Sequence, residues 1–314
     1  MTAAIEAADA PESPVDVRPG LLRTRVLRQP QTIAGLTVLA LFVLVALLSP
    51  VLASDPKEQV GAVFEAPTGA HPLGTDGGGA DMVSLLIAGA RVSLIVGFAA
   101  AVVSALIGGS VGIVSGFFGG KIDTLLMRFT DYVIAIPDVP LMIVAAALFG
   151  RSLTNIILII GVIYWVTTAR LIRAQVKSVR ERVYVKRARA LGAGNWRLIG
   201  KHVLPQVAPL LIANTVLLVA YAIFAETFIT FLGLGDPSVI SWGRLIENAF
   251  TDDALLNEAW WAIVPPGVCV ALVVLACTMV GQSLEDALNP RLRVGHLSVR
   301  RFRVRPLRGR LDAE

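Results

Sequence analysis

Long apolar runs are the feature that most constrains the fold of this chain. Of its 314 residues, 55% are hydrophobic and only 16% are charged, whereas a soluble domain carries about 25% charged residues. A helix of about 20 apolar residues crosses the roughly 30 Å hydrocarbon core of a bilayer. The sequence therefore predicts an all-α membrane protein with six transmembrane helices, at residues 31–52, 89–116, 131–149, 153–170, 206–232 and 260–282.

The distribution of Lys and Arg predicts how these helices are oriented. Of the 28 Lys/Arg residues, four precede residue 31, two lie in 117–130, ten in 170–202 and eight follow residue 290. The alternate segments together hold the other four. Because positive loops stay on the cytoplasmic side, both termini and the 170–202 segment are predicted to be cytoplasmic. Basic flanks of this kind indicate contact with anionic membrane lipids and do not indicate nucleic acid.

The apolar runs and the polar stretches between them predict the domain organisation. The first helix is long enough to remain in the membrane and is not interpreted as a cleaved signal. We predict a disordered cytoplasmic tail at 1–30, a first transmembrane helix at 31–52, an external Gly/Pro-rich segment at 53–88, a core with five transmembrane helices at 89–290 and a basic cytoplasmic tail at 291–314.

Small residues recur every four positions in the second apolar run. A stripe of this kind lets another helix approach closely, so tight helix packing is the simplest interpretation. The alternative is a helix that lines or braces a substrate path and slides against its neighbour. The stripe consists of Ala100, Ser104, Gly108, Gly112 and Gly116.

Two acidic residues lie within apolar runs, Asp138 in the third and Glu226 in the fifth. A charge at membrane depth costs about 2.5–3.5 kcal/mol on insertion scales, so such residues usually face a cavity or a partner. Both acids could relay protons, or both could be structural groups that are hydrogen bonded or face a wet channel. Pro137 and Pro140, on either side of Asp138, predict a kink in the third helix.

The sequence offers no catalytic or metal-binding constellation. His71, His202 and His296 lack the spacing of a metal site, and Cys269 and Cys277, eight residues apart in one helix, are too distant to form a disulfide. No Gly-x-x-x-x-Gly-Lys-Ser/Thr phosphate loop occurs, so ATP hydrolysis by this chain is not expected.

The segment 170–205 is strongly basic and has the pattern of a helical loop. Its ten Lys/Arg residues accompany a single acid, Glu181. Tyr184, Ala188 and Leu191 are spaced i, i+4 and i+7, which predicts that they share one helical face. A short helix with a small apolar face and flanking positive charges suits insertion into a groove on a soluble partner.

The same segment carries signals that end one helix and start others. Gly192 is a natural C-cap, and Asn195 can cap a second short helix that begins at Trp196. Pro205 and Pro209 mark a kinked entry into the fifth transmembrane helix. The segment is therefore predicted to form two short helices at an angle, projecting into the cytoplasm.

These residues resemble the EAA loop of ABC-transporter permeases, in which Glu-Ala-Ala, three residues, Gly and nine further residues precede Ile-x-Leu-Pro. The matching positions are Ala188, Ala190, Leu191, Gly192, Leu204 and Pro205. Residues 30–293 resemble the second permease of bacterial dipeptide/oligopeptide importers. The motifs that carry this resemblance are HPLGTD at 71–76, GARVS at 89–93, GFFGG at 116–120, FLGLG at 231–235, SWG at 241–243 and ALNPRLR at 287–293.

The resemblance implies a type I ABC importer permease (MetI-like) core with a cytoplasmic coupling helix, in the bacterial inner membrane. It implies a second homologous permease, two ABC ATPase subunits, an external substrate-binding protein and a di- or oligopeptide substrate. ATP-Mg would bind in the partner subunits, and no cofactor is expected in this chain. The residues assigned to ATPase coupling are Tyr184, Lys186, Arg187, Ala188, Ala190, Leu191, Gly192, Leu204 and Pro205.

The chain departs from the family pattern in two places. Lys186 and Arg187 stand where the family has its leading Glu and first Ala, so the acidic contact to the ATPase is absent or inverted. Residues 77–80, Gly-Gly-Gly-Ala, replace a segment that usually contains an Arg.

Two other functions remain open from the sequence. The same family also imports nickel chelates and other small solutes. A proton-coupled secondary transporter using Asp138 and Glu226 would work without ATPases, but it leaves the basic loop unexplained.

Overall fold

The computed structural model describes residues 29–52 and 58–288. The predicted tail 1–30, except for its last two residues, and the predicted tail 291–314 lie outside the described residues, as does most of the motif at 287–293. The regular structure of the described part is helical, with one isolated antiparallel bridge between Thr75 and Asp81.

The helices follow one another along the chain with short connections. They are α1 Pro30–Leu52, α2 Met82–Phe118, α3 Gly120–Ala135, α4 Asp138–Phe149, α5 Leu153–Arg180, α6 Val183–Ala190, α7 Asn195–Leu198, α8 Leu204–Ile229, α9 Trp242–Thr251 and α10 Val264–Leu288. Two π-helical turns, Ile199–Val203 and Thr230–Leu234, flank α8, and a 3₁₀ turn, Trp260–Ala262, precedes α10.

Five helical stretches of the described chain are long and apolar enough to cross a membrane, and a bent pair brings the number to six if it counts as one span. The predicted all-α membrane fold is therefore confirmed. The five stretches are Pro30–Leu52, Met82–Phe118, Leu153–Arg180, Asn195–Leu234 and Trp260–Leu288.

The third predicted span, 131–149, is broken at its prolines, as predicted. The break separates α3 from α4, which meet at an angle of 87°. Ile136 adopts an extended conformation (φ −88°, ψ 126°), because the ring of a following proline disfavours helical geometry in the residue before it. Pro137 is extended as well and precedes the first residue of α4. The prolines thus produce a corner, sharper than the predicted kink.

The helix that contains the second predicted span, 89–116, extends beyond that span at both ends. α2 begins at Met82, inside the predicted external segment, because the carboxylate of Asp81 caps the helix by accepting a hydrogen bond from the Ser84 amide at 2.9 Å. With 37 residues, α2 is about 55 Å long. It is therefore much longer than the roughly 30 Å hydrocarbon core.

The small-residue stripe lies in the interface between α2 and α5. A Cβ atom on Gly108 would overlap the backbone oxygen of Trp165, and one on Gly112 would lie 2.7 Å from that of Ala169. Gly116 meets the Arg173 oxygen at 2.8 Å in the same way. The two backbones are thus in direct contact along the stripe, and its other members, Ala100 and Ser104, are also buried.

The segment predicted to be external is folded onto the 3₁₀ turn that precedes α10. The Thr75 hydroxyl donates to the Ala62 carbonyl at 2.6 Å and accepts from the Glu65 amide at 2.8 Å. The Trp261 indole N–H donates to the Thr75 carbonyl at 3.1 Å. We call residues 58–81 the outer cap, since these bonds join them to the end of the helical core.

A pair of neighbouring glycines tests the contact between α2 and α5. We expect Gly108→Ala to lower the free energy of unfolding by about 1–3 kcal/mol, because the added methyl group meets a backbone atom that cannot move alone. Gly109→Ala is the control: it brings the same gain in helix propensity, but its Cβ would meet only the flexible Leu211 side chain, at 3.2 Å. Thermal unfolding of the purified protein in detergent measures both variants. Equal midpoints for the two would contradict the packing argument.

Candidate functional site

The basic segment after α5 forms one separate short helix, α6, as predicted; the second predicted short helix, α7, is instead the first part of a continuous helical stretch, Asn195–Leu234, that leads into α8. We call residues 181–203 the elbow; it contains α6, α7 and the π-helical turn that leads into α8. One detail differs from the prediction: Gly194, not Asn195, occupies the N-cap position of α7, and no side chain caps that helix. Asn195 is instead its first residue.

The turn between α6 and α7 has the hydrogen bonding of a Schellman motif. The Ala193 amide donates to the Ala188 carbonyl at 3.1 Å, and the Gly192 amide donates to the Arg189 carbonyl at 3.0 Å. Gly192 has a φ of +84°, a conformation that glycine adopts without the penalty that a Cβ atom brings. The turn thus ends α6 at the glycine that the sequence singles out.

The elbow rests on the ends of three long helices through a buried apolar cluster. Val185, Leu198 and Val203 are fully buried on the elbow side. They pack with residues of α2, α5 and α8, namely Phe117, Ile172, Val176, Val179 and Val207. One cluster therefore joins the elbow to the ends of all three helices.

The outer surface of the elbow exposes large apolar side chains. Leu191 is 88% exposed and Trp196 is 75% exposed, and Val183 and Tyr184 are exposed to a lesser degree. Exposed apolar groups of this size, grouped on one short segment, are typical of a surface that binds another protein.

The predicted single face of Tyr184, Ala188 and Leu191 is only partly present. Leu191 points outward, whereas Ala188 packs partly against the buried cluster, and the Tyr184 ring lies 6.1 Å from that of His202. Trp196 was not singled out as a contact residue. A bulky apolar residue in a strongly basic segment was the signal that could have identified it.

The other residues assigned to coupling lie at the borders of the elbow. Ala190 is the exposed last residue of α6, and Leu204 and Pro205 form the exposed first turn of α8. The structure thus places all of the assigned residues on one continuous segment.

The two basic residues that depart from the family pattern have different surroundings. Lys186 forms an ion pair with Glu181 at 2.8 Å, and the hydrogen bond from Lys186 lowers the pKa of the Glu181 carboxyl below its usual value. Arg187 is exposed. It is three residues after Tyr184 and four residues before Leu191, so all three lie on the same face of α6. The first charge is therefore balanced within the chain, and the second is presented outward.

A charged cluster next to the elbow was missed by the sequence reasoning. The side chain of Asp123, at the start of α3, is only 11% exposed and accepts hydrogen bonds from Arg173 at 2.7 Å and Lys177 at 2.6 Å, both on α5. The Ser115 hydroxyl of α2 donates to the same carboxylate. We call these four residues the Asp123 clamp. Its sequence signal was an acid in a first helical turn and two cations spaced i, i+4 far along the chain.

The two acids in apolar runs have unlike environments. Glu226 is 2% exposed and accepts hydrogen bonds from the Thr230 hydroxyl at 3.1 Å and the Ser93 hydroxyl at 3.4 Å. Ser93 in turn accepts from the Trp242 amide at 3.1 Å. Asp138 is exposed at the start of α4. Within the described residues no hydrogen bond joins the two acids, and no group of three or more His, Cys, Asp or Glu side chains could hold a metal ion.

Fold and site together define a multi-pass helical membrane protein with an elbow that exposes large apolar side chains. A sequence model of the inner membrane components of binding-protein-dependent transport systems matches residues 108–294. The chain belongs to this family, which comprises the permease subunits of ABC importers.

Relatives match nearly the whole chain. A Brucella suis protein named as a peptide transport system permease is 36% identical over 278 residues, which is 87% of this chain and 92% of the relative. The dipeptide transport system permease protein DppC of Bacillus subtilis is 34% identical over 272 residues, 86% of this chain and 84% of DppC. DppC of Alkalihalophilus pseudofirmus is 33% identical over 264 residues, which is 83% of this chain and 86% of that DppC. The resemblance identified from the motifs is confirmed.

The Asp123 clamp gives a prediction about stability. We expect Asp123→Asn to cost about 1–3 kcal/mol of unfolding free energy, because two cations lose the carboxylate that neutralises them, although their partial exposure limits the loss.

Asp131→Asn is the matched control, since Asp131 of α3 also pairs with an α5 residue, Arg170, at 2.6 Å but on the surface. This change should cost less than about 1 kcal/mol. Thermal unfolding in detergent compares the two, and an equal loss would show that burial of the clamp contributes nothing.

Proposed function

We propose that this permease forms half of the pore of an ATP-driven importer for di- or oligopeptides. The geometry of the elbow is the main support for an ATP-driven mechanism. The elbow exposes Leu191 and Trp196, while its buried side contacts three helices of the core. The peptide substrate is supported by relatives that are named for peptide and dipeptide transport and match 83–87% of this chain.

The remaining subunits follow from this proposal. A second homologous permease completes the pore, two ABC ATPases dock on the elbow and its counterpart, and an external binding protein delivers the peptide. ATP with Mg²⁺ binds in the ATPases, and this chain is not an enzyme. Both termini and the elbow face the cytoplasm, as the distribution of positive charges supports, and the outer cap faces the binding protein.

The packing of the elbow supports a mechanism for coupling. When the ATPases close on ATP, they shift the elbow. Because Val185 and Leu198 are packed against the ends of α2, α5 and α8, the shift tilts these helices and exchanges outward for inward access. This is a rigid-body change driven at one interface.

A proton-coupled transporter is the less supported alternative. Glu226 is hydrogen bonded to two hydroxyl groups inside the bundle, an arrangement that suits a structural acid. Asp138 lies exposed on another helix. Neither position supports a continuous relay between them.

Purification from the native membrane tests the assembly. We expect two ATPase subunits and a second permease to copurify with this chain in stoichiometric amounts. Recovery of this chain without the ATPases, or without the second permease, would refute the proposal.

Substrate class needs a separate measurement. In a deletion strain complemented with this chain, uptake of peptides of graded length should be restored for di- or oligopeptides and not for nickel. Restoration of nickel uptake alone would leave the permease assignment intact and refute the peptide substrate.

Leu191→Asp tests the elbow directly. A charge at the centre of the docking surface should reduce coupled uptake and transport-stimulated ATPase activity roughly tenfold or more, as expected for an interface hot spot, and leave membrane insertion unchanged. Gly192→Pro should have the same effect, because proline cannot adopt the positive φ of that turn.

Leu256→Asp is the control for Leu191→Asp, since Leu256 is an equally exposed leucine that lies between α9 and α10, away from the elbow. It should transport normally. If uptake and ATPase stimulation survive both elbow changes, the elbow does not couple the ATPases to the pore.

A further inference from the structure

The exposed apolar residues of the elbow lie among cations that differ in how they are engaged. Lys186 pairs with Glu181 at 2.8 Å. Arg189 lies over the Phe117 ring, 5.5 Å from its centroid, and Arg180 donates to the Phe117 carbonyl at 3.0 Å. Arg189 therefore contacts the core from the elbow, Arg180 joins the end of α5 to the end of α2, and Lys186 is neutralised within the elbow.

Four other cations of the elbow are exposed and lie outside these contacts. They are Arg182, Arg187, Arg197 and Lys201, and none of them forms an ion pair with a carboxylate within residues 29–52 and 58–288. Burial of such a charge against a partner is costly unless the partner supplies an opposite charge.

Three of these cations, Arg187, Arg197 and Lys201, lie near the apolar side chains that are most exposed. Arg187 is four residues before Leu191, so the two lie on the same side of α6. Arg197 follows Trp196 directly, and Lys201 lies four residues after Arg197 in the same helical stretch. The elbow thus presents apolar groups with positive charge beside them.

The length of α5 favours a protein partner over the membrane surface. The apolar run 153–170 precedes ten further helical residues that end at Arg180, which place the elbow about 15 Å beyond the run. The Debye length at physiological ionic strength is about 8 Å. Because the headgroup layer adds about 5–7 Å on each side of the hydrocarbon core, about one Debye length separates it from the end of α5, and the cations on this side of the elbow are partly screened from lipid headgroups. Lys201, five residues before the predicted run 206–232, lies closer to the membrane.

We infer that the ATPase surface that receives this elbow is an apolar pocket bordered by carboxylates that pair with Arg187, Arg197 and Lys201. The inference rests on the proposed function and specifies the chemistry of the partner. Complementary charges of this kind select the correct ATPase and speed its association. Lys186 does not pair with the carboxylates of the ATPase, since Glu181 already neutralises it.

Charge reversal in the complete transporter tests the inference. We expect the double variant Arg187→Glu, Arg197→Glu, reconstituted in phosphatidylcholine nanodiscs, to retain roughly tenfold less ATPase than the wild type. Retention by the wild type should fall as NaCl is raised. Replacing the pocket carboxylates of the ATPase with lysine should restore binding to the variant.

The matched control reverses two exposed cations of α3, Lys121→Glu with Arg128→Glu. It changes the net charge by the same amount on the side of the membrane predicted to carry the elbow, and it should retain the ATPase normally.

The other outcomes separate this inference from the proposed function. If Leu191→Asp releases the ATPase but the double reversal does not, the elbow still docks and the acidic pocket is refuted. If neither change releases it, the proposed docking fails as well. If the reversal matters only when phosphatidylglycerol is added to the nanodiscs, the cations bind lipid and the inference is wrong.

Discussion

The close contact between the α2 and α5 backbones is the interaction on which the rest of the structure depends. Gly108, Gly112 and Gly116 let α2 approach until carbonyl oxygens of α5 occupy the space that Cβ atoms would need. Van der Waals contact drives helix association in a bilayer, where lipid tails are as apolar as the side chains. The stripe therefore fixes the register of the two helices, and the positions of the Asp123 clamp and the elbow at their ends depend on that register.

The Asp123 clamp and the elbow both use this register. Asp123 reaches Ser115 of α2 and Arg173 of α5 at once, which requires the two helix ends to lie side by side. Only Glu181 and Arg182 separate α5 from α6, so the clamp stands immediately before the elbow. The short helices of the elbow have no core of their own and depend on the cluster around Val176 and Val203.

Most of the architecture could be predicted from local sequence signals. Apolar length located the spans, the glycine at position 192 located the turn, and the four-residue spacing located the packing stripe. The start of α2 at Met82 was missed because the Asp81 cap lies within a Gly/Pro-rich stretch. The sharp corner between α3 and α4 was underestimated, because prolines show where a helix stops but not the direction of the next one.

The details of the site could not be predicted for a different reason. Whether Ala188 faces inward and Trp196 outward depends on where the elbow meets α2 and α8. The clamp joins residues 50 and 54 positions apart in the chain, so its pairing follows from tertiary register and not from any local pattern.

The tight union of α2 and α5 has a mechanical consequence. Two rods joined along their length resist bending far more than two separate rods, so a push at one end of the pair arrives at the other end almost undiminished. We expect bending at joints outside the pair, such as the corner between α3 and α4 and the π-helical turns that flank α8. The glycines that bring the two backbones together thus make the α2–α5 pair stiffer than either helix alone. This stiffness determines how far a displacement at one end of the pair is transmitted along it.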